Sequence, residues 1–345
     1  MTKANDSTPK RTPIEEIGKV GLIDRLLTTV GTSLSDTVCF GEEAGHHWIS
    51  SQKLLLEGID FDLIYTPLKH LGYKAVLSVL GPIVAHNYTP CALSLNIGLS
   101  KRFCIEDVEE LWSGVSAALQ ENKITNISLD LSSSLTGLTI SLSSQGKQKT
   151  EVFVQTPKAQ SGELLCITGN VGAAFMGLQL LEREKLLFNN NPEVQPQLEG
   201  YKFILQSYLS PQLNTSVGES FANNDILPSD GVFITNGLAD AVKYLCKKSN
   251  LGAKVFLDKI PIASQTFEMA EELHMDAITA ALNGGDDFQI LYTVPLSKYE
   301  TIKKELPQLD VIGHLTSDSG YACLVTPDGA EIELKAQGWS ERAAD

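Results

Sequence analysis

Apolar positions along the chain recur sometimes at every second residue and sometimes at helical spacing. In segment 136–144, Leu138, Ile140 and Leu142 alternate with threonine and serine, which predicts a strand with one wet face. Residues 93–100 form a second predicted strand. Helical spacing predicts two amphipathic helices, one through Leu68, Leu71, Ala75, Val79 and Ile83, the other through Val108, Leu111, Trp112, Val115 and Leu119. Such alternation is typical of an α/β or α+β protein.

The chain has 345 residues, which favours two domains that share a cleft. The polar stretch 144–150 carries Gly, Lys and Gln between two apolar segments, and we take it as the predicted boundary. The predicted domains are 12–148 and 149–345.

Composition and charge exclude several classes of protein. With 43% hydrophobic and 20% charged residues the chain is globular. A net charge of −15 without a cluster of Lys and Arg argues against a nucleic-acid partner. The residues up to Arg11 lack the apolar run of a secretory signal, and no stretch approaches the ~20 apolar residues of a membrane span. We therefore predict a cytoplasmic protein with no membrane partner.

The cysteines and histidines give no sign of a metal site. The six cysteines are scattered without a CxxC pair, and the six histidines lack ligand spacing. This distribution favours buried, reduced thiols over a zinc site or a disulfide framework.

Two glycine turns are candidate ligand sites. Residues 168–172 (TGNVG) lead from an apolar strand into a long predicted helix, where a helix N-terminus can hold an anion. A plain strand-to-helix turn is the simpler interpretation, because Gly-x-x-Gly is a short motif. Residues 284–288 (GGDDF) place two carboxylates beside two glycines, which suits a metal or polar ligand but also a solvated acidic turn.

Several longer segments carry a resemblance to a known family. They are LLLEGIDFDLIYTPLKHLGYKAV (54–76), ITGNVGAAFMGLQLLEREK (167–185), PQLEGY (196–201), ALNGGDDFQILYTV (281–294), VIGHLT (311–316) and AQGW (336–339). In order and spacing they resemble the thiamine-monophosphate kinase family, a branch of the aminoimidazole-ribotide-synthetase-like superfamily. The resemblance implies a two-domain fold whose N-terminal strands close into a barrel across a dimer, with a mixed-sheet α/β domain at the C-terminus.

The resemblance also implies a reaction. The family transfers the γ-phosphoryl group of ATP to thiamine phosphate and forms thiamine diphosphate, chemistry that depends on charge neutralisation. Several Mg²⁺ ions held by aspartates of both domains supply that neutralisation. Since Mg²⁺ requires oxygen ligands in near-octahedral array, missing carboxylates directly weaken its binding. ATP, Mg²⁺ and thiamine phosphate are thus the implied ligands.

Acidic positions of the N-terminal half depart from the family pattern. Asp36 remains from the first acidic motif and Asp130 from the nucleotide motif, so both are expected metal ligands and Asp130 also a nucleotide contact. Lys53 stands in place of an aspartate, and Gly81-Pro82 in place of a Ser-Asp pair. Asp60 replaces a histidine that contacts substrate, where it would repel a phosphate; unphosphorylated thiamine is then a candidate ligand.

In the C-terminal half, some positions of the family pattern are replaced and others are kept. The expected Asp-x-Ser-Asp-Gly motif reads FITNG, with Phe233 and Asn236 in place of both aspartates and Thr235 as the expected nucleotide contact. The substrate motif persists in Asp286 and its neighbours, and Trp339 keeps an aromatic position that stacks on the thiamine ring. A linker arginine expected to meet ATP phosphates is also replaced, by Thr156.

Two of seven aspartates in the family pattern remain, while the framework segments are kept. We therefore hypothesise a noncatalytic homologue that binds a thiamine-type ligand or acts as a regulatory subunit. We expect it to form a homodimer or a heterodimer with an active homologue. A weakly active or altered kinase, in which Lys53 contacts phosphate in place of a metal, is the second hypothesis. A purely structural dimer partner is the third. Trp339 can also be a core residue, and Asp36 and Asp130 can be turn or cap residues.

Overall fold

The structure is a computed structural model that describes residues 13–190 and 198–339. The predictions for residues up to Arg11, for positions 196 and 197 of PQLEGY and for the end of the second domain after 339 lie outside the described residues. The helices are α1 (Gly18–Thr29), α2 (Leu68–Ala85), α3 (Ile105–Glu121), α4 (Ala173–Asn190), α5 (Lys202–Leu209), α6 (Val217–Asn223), α7 (Leu238–Ser249), α8 (Ser264–Glu272), α9 (Ala277–Asn283) and α10 (Tyr299–Glu305). The strands are β1 (Thr37–Glu43), β2 (His46–Leu56), β3 (Thr89–Leu99), β4 (Asn126–Ser133), β5 (Thr139–Lys149), β6 (Leu164–Thr168), β7 (Asp230–Ile234), β8 (Gly252–Phe256), β9 (Gln289–Val294), β10 (Leu309–Thr316), β11 (Ala322–Val325) and β12 (Glu331–Glu333).

The mixed α/β class and the four predicted elements are confirmed, with shifted ends. The stretch 144–150, predicted as a polar boundary, is mostly strand: β5 continues to Lys149, which pairs with His46. It fits into the sheet because small residues alternate along it. A Cβ on Gly146 would lie 2.3 Å from a methyl of Ile83, so helix α2 packs directly on this backbone.

The N-terminal sheet has five strands in the order β1-β2-β5-β3-β4, antiparallel except for the parallel pair β3–β4. Helices α2 and α3 cover one face and bury the apolar residues of β3 and β5. The other face carries many serines, including Ser94 and Ser141, and has no helix on it in the described part of the chain. One face of this sheet is therefore a core and the other is open.

The C-terminal sheet has seven strands in the order β12-β11-β8-β10-β6-β9-β7. Helix α7 packs on one face of this sheet and shares its hydrophobic core. On the opposite face, Leu77, Val84 and Ala85 of α2 pack with residues of β6, β7 and β9. Helix α2 therefore lies between the two sheets and contacts both, which places the cleft along its length.

Three of the predicted buried thiols are buried, Cys166, Cys246 and Cys323, whereas Cys39 and Cys104 are exposed. All six cysteines are free. Within residues 13–190 and 198–339, no helix combines the length and apolarity needed to cross a bilayer.

Candidate functional site

The loop 284–288 is hydrogen-bonded to the end of β7, where the two sheets approach each other. The amide of Asp286 donates to the carbonyl of Thr235 at 2.9 Å, and the amide of Phe288 donates to Ile234 at 3.1 Å. Gly285 has φ +81°, and a Cβ there would lie 2.8 Å from the Thr235 carbonyl oxygen. Asp286 and Phe288 also adopt positive φ, at 59° and 55°. Such strained backbone in two non-glycine residues is typical of functional loops.

Asp286 forms an ion pair across the cleft. Its Oδ2 lies 2.7 Å from Nζ of Lys74 on α2, and the Lys74 side chain is 9% exposed. The ammonium also lies 3.8 Å from the ring centroid of Tyr208 on α5. The predicted substrate residue Asp286 is thus held by a buried cation that the sequence analysis did not identify.

Asp287 is buried beneath the same loop. Its Oδ1 accepts a hydrogen bond from the amide of Gly172 at 2.7 Å, while Oδ2 has no partner within the described residues. Burial raises the pKa of the Asp287 carboxyl well above its ordinary value, opposed by the Gly172 hydrogen bond and reinforced by the charge of Asp286. Because a carboxyl already occupies the turn 168–172, the geometry favours the strand-to-helix interpretation over an anion site.

Phe233 packs against α2 at the centre of the junction. A Cβ on Gly81 would lie 2.3 Å from the Phe233 ring, so the ring rests on the bare backbone of the helix. The Phe288 ring meets it edge-on with centroids 5.5 Å apart. Pro82 lies in the last turn of α2 next to this contact. Two positions where the family resemblance implies metal ligands are therefore parts of one apolar packing.

Asp240, in the first turn of α7, accepts hydrogen bonds from two predicted site residues. Its Oδ2 accepts from Nδ2 of Asn236 at 3.2 Å, and its Oδ1 accepts from the indole N–H of Trp339 at 2.7 Å. Lys243 lies 5.4 Å from the Trp339 ring centroid. Trp339 is thus held at the junction by a carboxylate that sequence reasoning missed.

Lys53 lies on the helix-covered face of β2, since its partner Leu142 is buried in the core. It is half-buried and forms no ion pair among the described residues. Burial and the charge of Lys19 lower the pKa of Lys53, although Asp60, Asp286 and Asp240 act in the opposite direction. A cation therefore faces the cleft with three carboxylates near it but none in contact.

Asp60 has a local structural role. Its Oδ2 accepts from the amide of Leu56 at 2.8 Å and closes the turn that follows β2. The side chain is also exposed, so its second oxygen is open to solvent or to a ligand.

The two remaining metal candidates are far apart in this chain. Asp36 precedes β1 and contacts Nε2 of His86 at 3.0 Å. Burial acts to raise the Asp36 pKa, but the hydrogen bond and charge of His86, with Lys248 nearby, hold it below its ordinary value. Asp130 lies on β4, which is four strands away from β1 in the sheet, a distance of roughly 19 Å across the strands. It pairs with Asn96, so it is on the open face, opposite to Lys53.

These positions do not fit the implied magnesium cluster. In the part of the chain that the structure describes, no three His, Cys, Asp or Glu side chains are placed to share a metal ion. Thr235, the expected nucleotide contact, lies at the junction, whereas Asp130 lies on the open sheet face and Thr156 in an exposed connecting segment. Within one chain the structure brings together Lys53, Asp60, Asp286, Thr235, Asn236 and Trp339, but not Asp130. Asp36 lies one strand away from this group, since Thr37 pairs with Ser51 of β2, and its carboxylate contacts His86.

Comparison with known proteins gives a consistent picture. No protein-family model matches the chain. A thiamine-monophosphate kinase of Aquifex aeolicus is 26% identical over 339 residues, covering 94% of this chain and 98% of that protein. The thiamine-monophosphate kinase of Synechococcus elongatus is 25% identical over 308 residues, covering 88% and 90%.

Solved structures share the fold. The structure of AaThiL complexed with AMPPCP and TMP has a TM-score of 0.78 at 22% identity and covers 96% of this chain and 99% of that one. A HypE–HypF complex has a TM-score of 0.63 at 15% identity, covering 91% and 99%. These likenesses confirm the resemblance to thiamine-monophosphate kinases and the aminoimidazole-ribotide-synthetase-like fold.

Proposed function

We propose that this relative of the thiamine-monophosphate kinases binds a thiamine-type ligand but does not transfer phosphate, and acts as a noncatalytic or regulatory subunit. The contact between Phe233 and Gly81 carries the proposal. The family resemblance assigns carboxylates to position 233 and to the adjacent Pro82. Here an aromatic ring packs on the helix backbone and on a second ring, and it offers no oxygen ligand to a metal ion.

Charge supports the same conclusion. Two unit charges 4 Å apart interact by about 4 kcal/mol at an effective dielectric near 20, so Lys53 would repel a divalent cation placed beside it by more than that. Asp36 is already paired with His86, and Asp286 with Lys74. The residues at hand therefore do not fit the Mg²⁺ and MgATP that the family implies, and we derive no phosphoryl-transfer step for this chain.

An altered kinase is the alternative that one observation favours. Lys53 is a cation in the cleft without an ion-pair partner among the described residues, and such a group can bind phosphate oxygens directly. An assay of turnover separates this alternative from the proposal.

The first prediction concerns ligand binding and turnover. With thiamine phosphate and MgATP at high protein concentration, we expect no thiamine diphosphate above an ATP-free control by chromatography. Calorimetry should detect binding of thiamine or thiamine phosphate. In Trp339→Ala the affinity should fall at least tenfold, because stacking on the indole ring is lost. Lys53→Gln should weaken the binding of thiamine phosphate more than the binding of thiamine. Formation of thiamine diphosphate by the purified protein would instead favour the altered kinase. If neither thiamine nor thiamine phosphate binds, the hypothesis of a purely structural dimer partner is favoured.

We also propose that the protein dimerises through its N-terminal sheet, as the resemblance implies. Apolar side chains on the edge strand β4 are strongly exposed in the single chain, with Ile127 at 43%, Leu129 at 46% and Leu131 at 52%. At the other edge, Val38 and Phe40 of β1 are 57% and 63% exposed. A second copy, or a related kinase, would cover such edges.

The second prediction follows from these edges. Leu129→Lys should shift the protein from dimer to monomer in sedimentation velocity, because a lysine would be desolvated in the interface. Leu296→Lys, at an exposed site 62% accessible in the other half, is the matched control and should leave the mass unchanged. A wild-type protein that sediments as a monomer, or a Leu129→Lys variant that stays dimeric, would argue against the barrel.

The division into domains at 148/149 and a cytoplasmic location stay predictions. The end of β5 at Lys149 supports the division, because the segment that follows links the two sheets.

A further inference from the structure

A cavity of about 710 Å³ opens on the C-terminal sheet, on the face that also carries α2. Strands β6, β8 and β10 contribute its floor, and helix α10 forms a wall. Neither Lys53, Asp286 nor Trp339 lines it, so the cavity is separate from the site at the junction of the two sheets. Its volume falls within the range of about 300–1,000 Å³ that is usual for small-molecule sites.

A β-bulge in β10 turns His314 to this face. The register with β6 shifts within the strand, so that Ile312 and Leu315, three residues apart, both pack in the core on the α7 face. His314 instead pairs with Leu164, which packs in the core on the α2 face. Its ring lies beside that of Phe256, with centroids 5.7 Å apart, and both residues line the cavity. Bulges often re-aim a side chain in this way beside a functional site.

The His314 ring is a polar group with unused hydrogen-bonding capacity on an apolar floor. Burial, and then the charge of Lys254, lower the pKa of His314, so the imidazole is uncharged at neutral pH. Neither ring nitrogen has a hydrogen-bond partner among the described residues. A neutral imidazole keeps one N–H group that can donate to a ligand oxygen.

The helix wall presents a cation. Four lining residues follow the spacing i, i+3, i+4, i+7, which places them on one face of α10 and its C-terminal cap: Tyr299, Ile302, Lys303 and Leu306. Lys303 has no ion pair among the described residues. Lys304 lies on a different face of the helix and pairs with Glu305. The cation that faces the cavity is therefore Lys303.

The acidic residue among the described lining residues is directed elsewhere. Asp310 pairs with Ile167, whose side chain packs in the core on the α7 face. Because paired residues share a face of a sheet, the Asp310 carboxylate is on that side and not on the cavity floor. Lys259 adds a second cation at the rim, partly neutralised by Asp258 at 3.4 Å. The cavity is thus positively charged in a chain whose net charge is −15.

We propose that this cavity binds a small aromatic carboxylate, whose anionic group pairs with Lys303 and whose ring lies on the floor beside Phe256 and His314. Charge complementarity selects an anion, because Lys303 would repel an ammonium group placed on the same wall. The rings of the floor and of Tyr299, which is 38% exposed, favour an aromatic body. An inorganic anion would leave this apolar floor in water.

This inference does not depend on the proposed function. A chain that binds neither thiamine nor thiamine phosphate can still bind an aromatic carboxylate on this part of the sheet. Trp339→Ala, which tests the thiamine-type site, should leave the affinity of the cavity for such a carboxylate unchanged.

The experiment uses three probes of similar shape, 2-naphthoate, 2-naphthamide and protonated 2-naphthylmethylamine, with the full-length protein in calorimetry and ligand-observed NMR. We expect 2-naphthoate to bind saturably in the millimolar range or tighter, at least about tenfold more tightly than the amide. The ammonium probe should bind more weakly than either. Lys303→Glu should weaken 2-naphthoate at least about tenfold, because it places a carboxylate on the wall. The matched control Lys304→Glu makes the same change one residue along and should leave the affinity within about twofold of wild type.

A second variant tests the floor. Val311→Phe adds a ring to the lining without changing the charge, so it should also weaken 2-naphthoate at least about tenfold. Circular dichroism and melting temperature check that each variant folds; if Val311→Phe does not, the two exposed lysine variants still decide the result. Equal binding of 2-naphthoate and 2-naphthamide, tighter binding of the ammonium probe, or no binding of 2-naphthoate would each overturn the proposal. A Lys303→Glu affinity no lower than that of Lys304→Glu would overturn it as well.

Discussion

Replacing Gly81 by alanine is expected to lower the free energy of unfolding by about 1–3 kcal/mol, the usual cost of overpacking a core. The added methyl would lie 2.3 Å from the Phe233 ring, inside van der Waals contact. In an open helix position the same change would stabilise by up to about 1 kcal/mol, because alanine is the better helix former. The sign of the effect therefore reports whether ring and helix are in contact. Urea unfolding followed by circular dichroism measures it.

The matched control is Gly21→Ala in α1, where the added Cβ has a nearest contact at 3.4 Å, an ordinary distance. Phe233→Ala alone should cost about 3–5 kcal/mol, as is usual for a buried phenylalanine. The double variant Gly81→Ala/Phe233→Ala should be less destabilised than the sum by at least about 1 kcal/mol, since the alanine methyl then enters the vacated space. Additive effects, or a stabilising Gly81→Ala, would show that Phe233 does not pack on Gly81 as the structure has it.

Removing the cation of Lys74 is expected to be comparably damaging. Lys74→Ala should cost about 2–4 kcal/mol, somewhat below the range for breaking a fully buried pair because Asp286 is 38% exposed. The loss has two sources, the 2.7 Å ion pair and the contact with the Tyr208 ring. Lys304→Ala, which removes an exposed pair with Glu305, is the matched control and should leave the free energy of unfolding unchanged.

A double-mutant cycle with Asp286→Asn isolates the ion pair from the rest of the lysine. We expect a coupling free energy of about 1–3 kcal/mol between Lys74 and Asp286 in urea unfolding. Because Lys74 lies on α2 and Asp286 on the loop between α9 and β9, coupling near zero would mean that this pair does not form across the cleft in solution.

Most of the fold was predictable because its signals are local. Alternation around Leu138, Ile140 and Leu142 specifies a strand with one buried face, and the spacing through Leu71 and Ala75 specifies a helix, whatever lies nearby. The strand at 144–149 was not apparent from the sequence, and this too has a local cause. Small polar residues resemble a linker in composition, yet Gly146 is needed in the sheet to admit Ile83.

The site was less predictable, because its meaning lies in contacts between distant positions. The family resemblance implies carboxylates at 82 and 233, but only the structure indicates that Phe233 packs on Gly81. Lys74 has a weak signal, a charge within a run of apolar helix positions, whose partner 212 residues away is not apparent from spacing. Asp240 resembles an ordinary acidic residue in a helix first turn.

Helix α2 contributes to the cores of both sheets at once, with Val76 and Val79 facing one and Leu77 and Val84 the other. A segment ending near residue 148, expressed without its companion, would leave that second apolar stripe in water. The two halves are therefore expected to lose structure cooperatively, in a single transition, although their sheets are separate. Evolutionary change at the junction is constrained in the same way, because a substitution on this helix must suit two hydrophobic environments rather than one.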